Sequence, residues 1–353
     1  MSDRILIAGT NSGCGKTTVT CALLAAFRAR GIDVSSFKCG PDYIDPMFHR
    51  QALGIPSQNL DLFFCTESQL QSQLAADPHT LHVIEGVMGY YDGIGTDGIA
   101  STYEIAKATN TPVILVLNVK GMYTSAGALL HGFQAFRPQS GIRGVIFNGA
   151  TPMLYEGLKQ IARNVGVIPL GFIPHDASLA IESRHLGLVT AGEIVDIEKK
   201  LDALGSLAEQ SIDLDQILQL AAQAPRLSTA PPAVKQEARV RIAVARDEAF
   251  CFLYQENVAL LSALGAELCF FSPVHDSVLP EQIHGLYLPG GYPELYAGVL
   301  SANRSMLSAV KSAIERGLPT IAECGGFLYL HDSLDGQSMV GIIPAKAYRT
   351  DKF

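Results

Sequence analysis

"AGTNSGCGKTTVT", residues 8–20, follows the apolar run "RILI" and precedes a stretch with helical periodicity. The usual phosphate-binding loop is G-x-x-x-x-G-K-[ST], leading from a strand into a helix. Here Gly15, Lys16 and Thr17 fit, but position 10 is Thr and the first glycine is Gly9, so the spacing is G-x5-G-K-T. The chemistry survives the shift. Gly13 and Gly15 let backbone N–H groups turn inward, Lys16 reaches terminal phosphates, and the Thr17 hydroxyl can ligate Mg²⁺. The predicted nucleotide contacts are Thr10, Asn11, Ser12, Gly13, Cys14, Gly15, Lys16, Thr17 and Thr18. A glycine-rich turn with a chance lysine is the plain alternative. A strand before it and a helix after it argue against that.

Outward from the loop, "VSSFKCG", "LHVIEGVMG", "TPVILVLNV", "IRGVIFNGA" and "VGVIPLGFIP" read as further strands. Between strands lie segments such as "TTVTCALLAAFRARG", apolar at helical spacing and closed by Gly31. Continuously apolar strands alternating with helices predict an α/β fold, a doubly wound and mostly parallel sheet covered on both faces. The pattern breaks over residues 221–240, "AAQAPRLSTAPPAVKQEARV". The predicted organisation is a first domain over 1–225, a linker over 226–239, and a second α/β domain over 240–353.

With 353 residues, the chain is long enough for two cores. A net charge of −8, with no basic run bearing aromatics, disfavours nucleic acid. No apolar run approaches the roughly 18 residues of a membrane span, and "MSDRILIAGT" carries no secretory signal. Seven cysteines without CxxC pairs fit neither a disulfide framework nor a zinc ribbon. The expectation is a cytoplasmic protein with no membrane partner and an optional homodimer.

Two carboxylate-bearing stretches stand at predicted strand ends, where ligands of open α/β sheets bind. "FKCGPDYIDPMFH" supplies Lys38, Asp42, Tyr43 and Asp45, and "VIEGVMGYYDG" supplies Glu85 and Asp92. Glu85 closes an apolar strand, where a charge is costly unless paired or bound to metal. Thr17, Asp45 and Glu85 together offer hard oxygen ligands for Mg²⁺. Asp42 and Asp92 suit orientation or deprotonation of a nucleophile, although an Asp in "GPD" is also an ordinary turn residue.

The loop resembles the dethiobiotin synthetase-like group of P-loop enzymes. Partitioning ATPases carry an extra lysine where this chain has Asn11. "FKCGPDYIDP", "NLDLF", "EGVMGYYDG" and "SRHLGLV" resemble the cobyrinic acid a,c-diamide synthase family. That resemblance implies glutamine-dependent amidation of two carboxylates of a corrin precursor in cobalamin biosynthesis. ATP would phosphorylate each carboxylate, and ammonia would displace the phosphate. Lys38, Asp42 and Asp92 would then be catalytic, and ATP and Mg²⁺ the cofactors. Tyr43, His175, Arg184 and His185 would bind substrate, and Asn148 in "GVIFNGA" would face adenine.

In the second domain, "LPTIAECGGFLYL" reads as strand, sharp turn and helix with Cys324 at the bend, an exposed nucleophile at a helix start. Gly290 and Gly291 of "LYLPGGYPEL" could supply oxyanion-hole N–H groups. Both stretches resemble class I-type glutamine amidotransferase domains, in which Cys324 would attack the glutamine amide. That family places its histidine in a "GHEFH"-like stretch after the elbow. This chain ends at "AYRTDKF", and only His331, read as lying on the elbow's own helix, follows Cys324. The expectation is therefore a C-terminally truncated relative with a complete ligase site and a glutaminase half lacking its base. Nickel-sirohydrochlorin a,c-diamide synthase would share nearly all these residues. A P-loop switch or scaffold is the reading of a different class.

Overall fold

The computed structural model describes residues 3–175, 191–227 and 240–350, with no side-chain description for 191–195. It divides into two units, Met1–Pro231 and Pro232–Phe353.

The first unit begins with β1 (Asp3–Gly9), α1 (Lys16–Ala29), β2 (Val34–Cys39), α2 (Ile44–Ala52) and β3 (Ser57–Leu60). It continues through α3 (Glu67–Ala76), β4 (Leu81–Glu85), α4 (Thr102–Thr109), β5 (Val113–Asn118), α5 (Ser125–Ala135) and β6 (Ile142–Asn148). It closes with α6 (Pro152–Asn164), β7 (Ile168–Ile173), α7 (Ala191–Ser211) and α8 (Leu214–Ala221). The seven strands form one sheet in the order β3-β2-β4-β1-β5-β6-β7, and every pairing is parallel. Alternation along β1 sends Ile5 and Ile7 into one core and Leu6 and Ala8 into the other, so the sheet is buried on both faces.

The same alternation places chemistry. On β4, Val83 packs into the core that contains α1, whereas Ile84 packs into the opposite one. Glu85 therefore turns toward α1. Lys38 is its register partner on β2. Both side chains lie at the C-terminal ends of their strands, where the first turns of α1 and α2 meet them. The strand missing from the sequence reading is β3. Its "SQNL" carries no β-branched run, and pairing along β2 builds it.

The second unit holds β8 (Val240–Ala245), α9 (Gln255–Ala263), β9 (Ala266–Phe271), β10 (Gly285–Leu288), α10 (Ala297–Ala302) and α11 (Arg304–Glu315). β11 (Thr320–Ala322), α12 (Gly325–Tyr329), β12 (His331–Leu334), β13 (Gln337–Ser338) and β14 (Ile343–Ala347) follow. A parallel sheet runs β11-β10-β8-β9, and a small separate sheet runs β13-β12-β14. The elbow helix α12 is only five residues long, so His331 opens β12 instead of lying on that helix. This corrects the expected placement. The chain turns at Leu330, and the His331 ring folds back so that Nδ1 lies 2.9 Å from the Phe327 carbonyl.

Candidate functional site

The displaced glycine has a packing cause. A Cβ at Gly9 would collide with Cys14 Sγ and press at 2.8 Å on the Lys16 stem, so the loop closes only over a bare Cα. Gly13 and Gly15 take φ values of 77° and 102°, open to glycine and strained for other residues. Lys16 is buried, and its Nζ donates to Asn11 O at 3.1 Å and to Met88 O at 2.5 Å. Burial lowers the pKa of that ammonium. Lys16 is thus held inside the cradle by carbonyls that a phosphate can replace.

Asn148 stands beside the same loop. Its Nδ2 donates to Cys14 O at 2.9 Å, and a Cβ at Gly15 would run into this amide. The side chain expected to face a base is engaged by the phosphate loop itself.

Lys38 lies at the centre of the carboxylate cluster, 4% exposed. Its Nζ donates to Asp45 Oδ2 and, at 2.8 Å, to Glu85 Oε1, with Asp42 Oδ2 at 3.9 Å. The Thr17 hydroxyl donates to the same Glu85 oxygen at 2.7 Å. Burial alone would strip the lysine of its proton, but the Glu85, Asp45 and Asp42 carboxylates outweigh it and raise its pKa. Burial raises Glu85, which is fully enclosed, against the pull of Lys38. For Asp45 the balance reverses, and Lys38 overcomes burial to hold the carboxyl low. One lysine therefore serves two buried acids with opposite outcomes.

Asp42 divides its work. Its Oδ1 accepts from the backbone N–H of Ile44 at 2.8 Å and Asp45 at 3.2 Å, which caps α2, and burial raises its pKa. Asp92 is exposed, and its Oδ2 accepts from Gly89 N at 2.9 Å. A Cβ at Gly89 would also come within 2.9 Å of Thr10 O, so Asp92 secures a turn lying against the phosphate loop. Tyr43 is half-buried between Asp42 and α2. His175 is exposed just beyond β7, and Arg184 and His185 lie outside the described residues. Among the described residues, no group of three or more His, Cys, Asp or Glu side chains is placed to hold a metal ion. Any cation here would depend on Thr17, water and phosphate beside the two carboxylates.

Sequence reading passed over the layer beneath. His49 is fully buried, with Nε2 3.7 Å from Glu85 Oε2 and Nδ1 2.8 Å from Ser36 Oγ, which donates onward to Ser57 Oγ at 2.7 Å. Burial pushes its pKa down to about 4, so the ring is neutral. Spacing alone could have found it, because His49 is four residues after Asp45 on α2 and so shares its face. Glu85 Oε2 has no hydrogen-bond partner among the described residues, with His49 Nε2 3.7 Å away.

In the second unit, Cys324 is exposed and takes φ 46°, ψ −110° between β11 and α12. A non-glycine residue at positive φ is costly. Glycines surround the bend. A Cβ at Gly290 would sit 3.2 Å from Cys324 Cβ, and one at Gly325 would sit 3.1 Å from Gly291 N. Gly291, at φ 155°, would collide with Ala249 O if it carried a side chain. The Gly290–Gly291 backbone is thereby packed directly against the nucleophile.

Residues 5–189 match the CobQ/CobB/MinD/ParA nucleotide binding domain family, and residues 241–352 match the CobB/CobQ-like glutamine amidotransferase domain. The chain is 42% identical over 352 residues to a cobyrinate a,c-diamide synthase of Listeria innocua, covering 96% of this chain and 78% of the relative. The namesake of Thermoplasma volcanium is 41% identical over 363 residues, 99% of this chain and 78% of the relative. That of Dehalococcoides mccartyi is 40% identical over 356 residues, 97% and 77% respectively. No helix among the described residues is long and apolar enough to cross a membrane.

Proposed function

The chain belongs to the cobyrinate a,c-diamide synthase family, and from that premise we propose that it amidates the a and c carboxylates of a corrin polycarboxylate with ATP. The observation that carries the reading is the Lys38–Asp45–Glu85–Thr17 cluster, built against the phosphate loop. A switch needs only the loop. A cation and two acids at the adjoining strand ends suit a second substrate.

The substrate carboxylate enters beside Lys38 and attacks the terminal phosphorus of ATP. An O–P bond forms, the bridging O–P bond breaks, and ADP leaves. Lys16 and Lys38 offset charge on the phosphoryl oxygens, where positioning and electrostatics supply most of the acceleration. Ammonia then attacks the acyl carbon, phosphate departs with its electron pair, and Asp42 or Asp92 accepts the surplus proton. Tyr43 and His175, with Arg184 and His185, are assigned to the remaining substrate carboxylates.

The orphaned Glu85 oxygen and its hard-oxygen neighbours fit Mg²⁺, which Thr17, Asp45 and Glu85 would hold. Bound there, it would add positive charge beside the phosphates. In the second unit, Cys324 Sγ attacks the glutamine amide and the Gly290 and Gly291 N–H groups receive the oxyanion. The C–N bond breaks as the thiol's proton passes to the leaving nitrogen, ammonia departs, and water cleaves the glutamyl thioester to glutamate.

Mass spectrometry of the product from cobyrinic acid, ATP, Mg²⁺ and ammonium tests the reading. A diamide with two ADP formed per macrocycle is expected. Turnover of nickel sirohydrochlorin alone would reassign the substrate. ATP hydrolysis indifferent to any macrocycle would replace the ligase with a switch.

A further inference from the structure

The strand order arranges the site in a line. The phosphate loop leaves β1, Glu85 ends β4, Lys38 stands one residue before the end of β2, and the edge strand β3 comes next. Asn148 bounds the loop from the β6 side. A substrate whose carboxylate meets Lys38 has the strand ends toward β3 on the side away from the phosphate loop. From β1 to β3 is three strand spacings, about 14 Å, room for a body several rings wide.

At that edge stand Phe63 and Phe64, 63% and 67% exposed, their rings edge to face at 5.0 Å. Their exposure is built. Leu60 and Leu62 take the core-facing positions, and Cys65 packs beneath. Buried Asp61 accepts from Phe63 N at 2.7 Å, and Cys65 N donates to Asp61 O at 3.0 Å, so the turn is tied down. Asn59 joins this turn to the catalytic loop, donating to Gly40 O at 2.9 Å and Asp42 O at 2.6 Å. Two aromatics thus face solvent on a fastened turn that Asn59 ties to the Asp42 backbone.

We propose that Phe63 and Phe64 form the platform on which the apolar face of the macrocycle rests while one of its carboxylates reaches Lys38. The inference rests on the amidation reading above and deepens it. Flat conjugated rings meet aromatic edges and faces favourably, and burying both phenyl groups gives affinity without interfering with phosphoryl transfer. The platform acts on substrate binding alone.

The test measures steady-state kinetics with ammonium as nitrogen source, alongside equilibrium dialysis of cobyrinic acid without ATP. The double variant Phe63→Ala, Phe64→Ala should raise the KM for the macrocycle roughly tenfold or more, with a matching loss in dialysis. Its KM for ATP and its kcat should stay within about twofold. The variant Phe63→Ala, Phe64→Trp should restore a flat ring and near-normal affinity. If the alanine pair lowers the melting temperature, the leucine pair keeps the bulk, drops the ring and carries the same expectation. Unchanged macrocycle affinity in both pairs overturns the platform, as does an equal rise in the KM for ATP. A change in sedimentation at unchanged affinity also overturns it and makes the pair a contact between copies. Wild-type protein that neither binds nor amidates a macrocycle would instead defeat the underlying reading.

Discussion

The two candidate centres are built on opposite plans. In the first unit, Lys38, Asp45, Glu85 and His49 are buried and occupied with one another, and their protonation is set by burial and mutual charge. In the second, Cys324 is exposed, strained in φ, and backed by bare glycine backbone. Phosphoryl transfer needs charges fixed before the substrate arrives. Thiol attack needs one accessible nucleophile and N–H groups to receive an oxyanion. On the proposed assignment, the ligase activity depends on a network and the glutaminase activity on a backbone conformation, so the two should fail independently.

The largest effect is expected at the centre of the network. Lys38→Met should lower turnover by roughly 10³-fold or more with either glutamine or ammonium. It should also lower the unit's melting temperature, because two buried carboxylates lose their cation. Retained activity would show that the cluster is structural. Next, Cys324→Ser should abolish glutamine-dependent amidation and spare ammonium-dependent amidation, measured in parallel assays. Loss of both would contradict separate sites. Third, Gly15→Ala meets Asn148 and a φ of 102° at once. It should raise the KM for ATP by roughly 5- to 100-fold, the equivalent of about 1–3 kcal/mol of strain. The double variant Gly15→Ala, Asn148→Ala should recover part of that loss, and no recovery would remove Asn148 from the loop's support.

The smallest effect concerns pH. The unfolded chain protonates His49 near 6.5, whereas the native chain does so only near 4. Its contribution to native stability is therefore complete above pH 6.5 and is lost as pH falls toward 4, by at most roughly 1.4 kcal/mol per unit. Glu85 and Asp42, whose pKa values are raised, titrate in the opposite sense, so the useful quantity is the difference between wild type and His49→Gln. Thermal melts from pH 7 to pH 4.5 should show that difference shrinking with acidity. A constant difference would mean that the ring carries no titration.

The six strands predicted before the linker are legible because most are continuous apolar runs, and "VSSFKCG", with Ser35, Ser36 and Lys38, keeps Val34, Phe37 and Cys39 as its apolar positions. Strand β3 and the small sheet of β12–β14 are not, since "SQNL" and "HDSL" owe their conformation to neighbours. Asp42 was legible as either catalyst or turn former, and one carboxyl group does its capping with Oδ1 while Oδ2 faces Lys38. His331 was misplaced because helix length is set by where the chain must turn back, which periodicity does not record.

By itself, the sequence determined which residue types stand at the candidate sites and in what order: a lysine and threonine after a glycine turn, acids at strand ends, a cysteine at a bend. Local spacing suffices for that, because a phosphate loop and an elbow are each made within a dozen consecutive residues. Only the tertiary structure decided that Lys38 stands between Asp45 and Glu85, that His49 lies behind them, and that Asn59 ties the turn after β3 to Gly40 and Asp42. Those pairings follow from strand order and register, which bring together residues far apart in the chain, and burial then makes their charges matter.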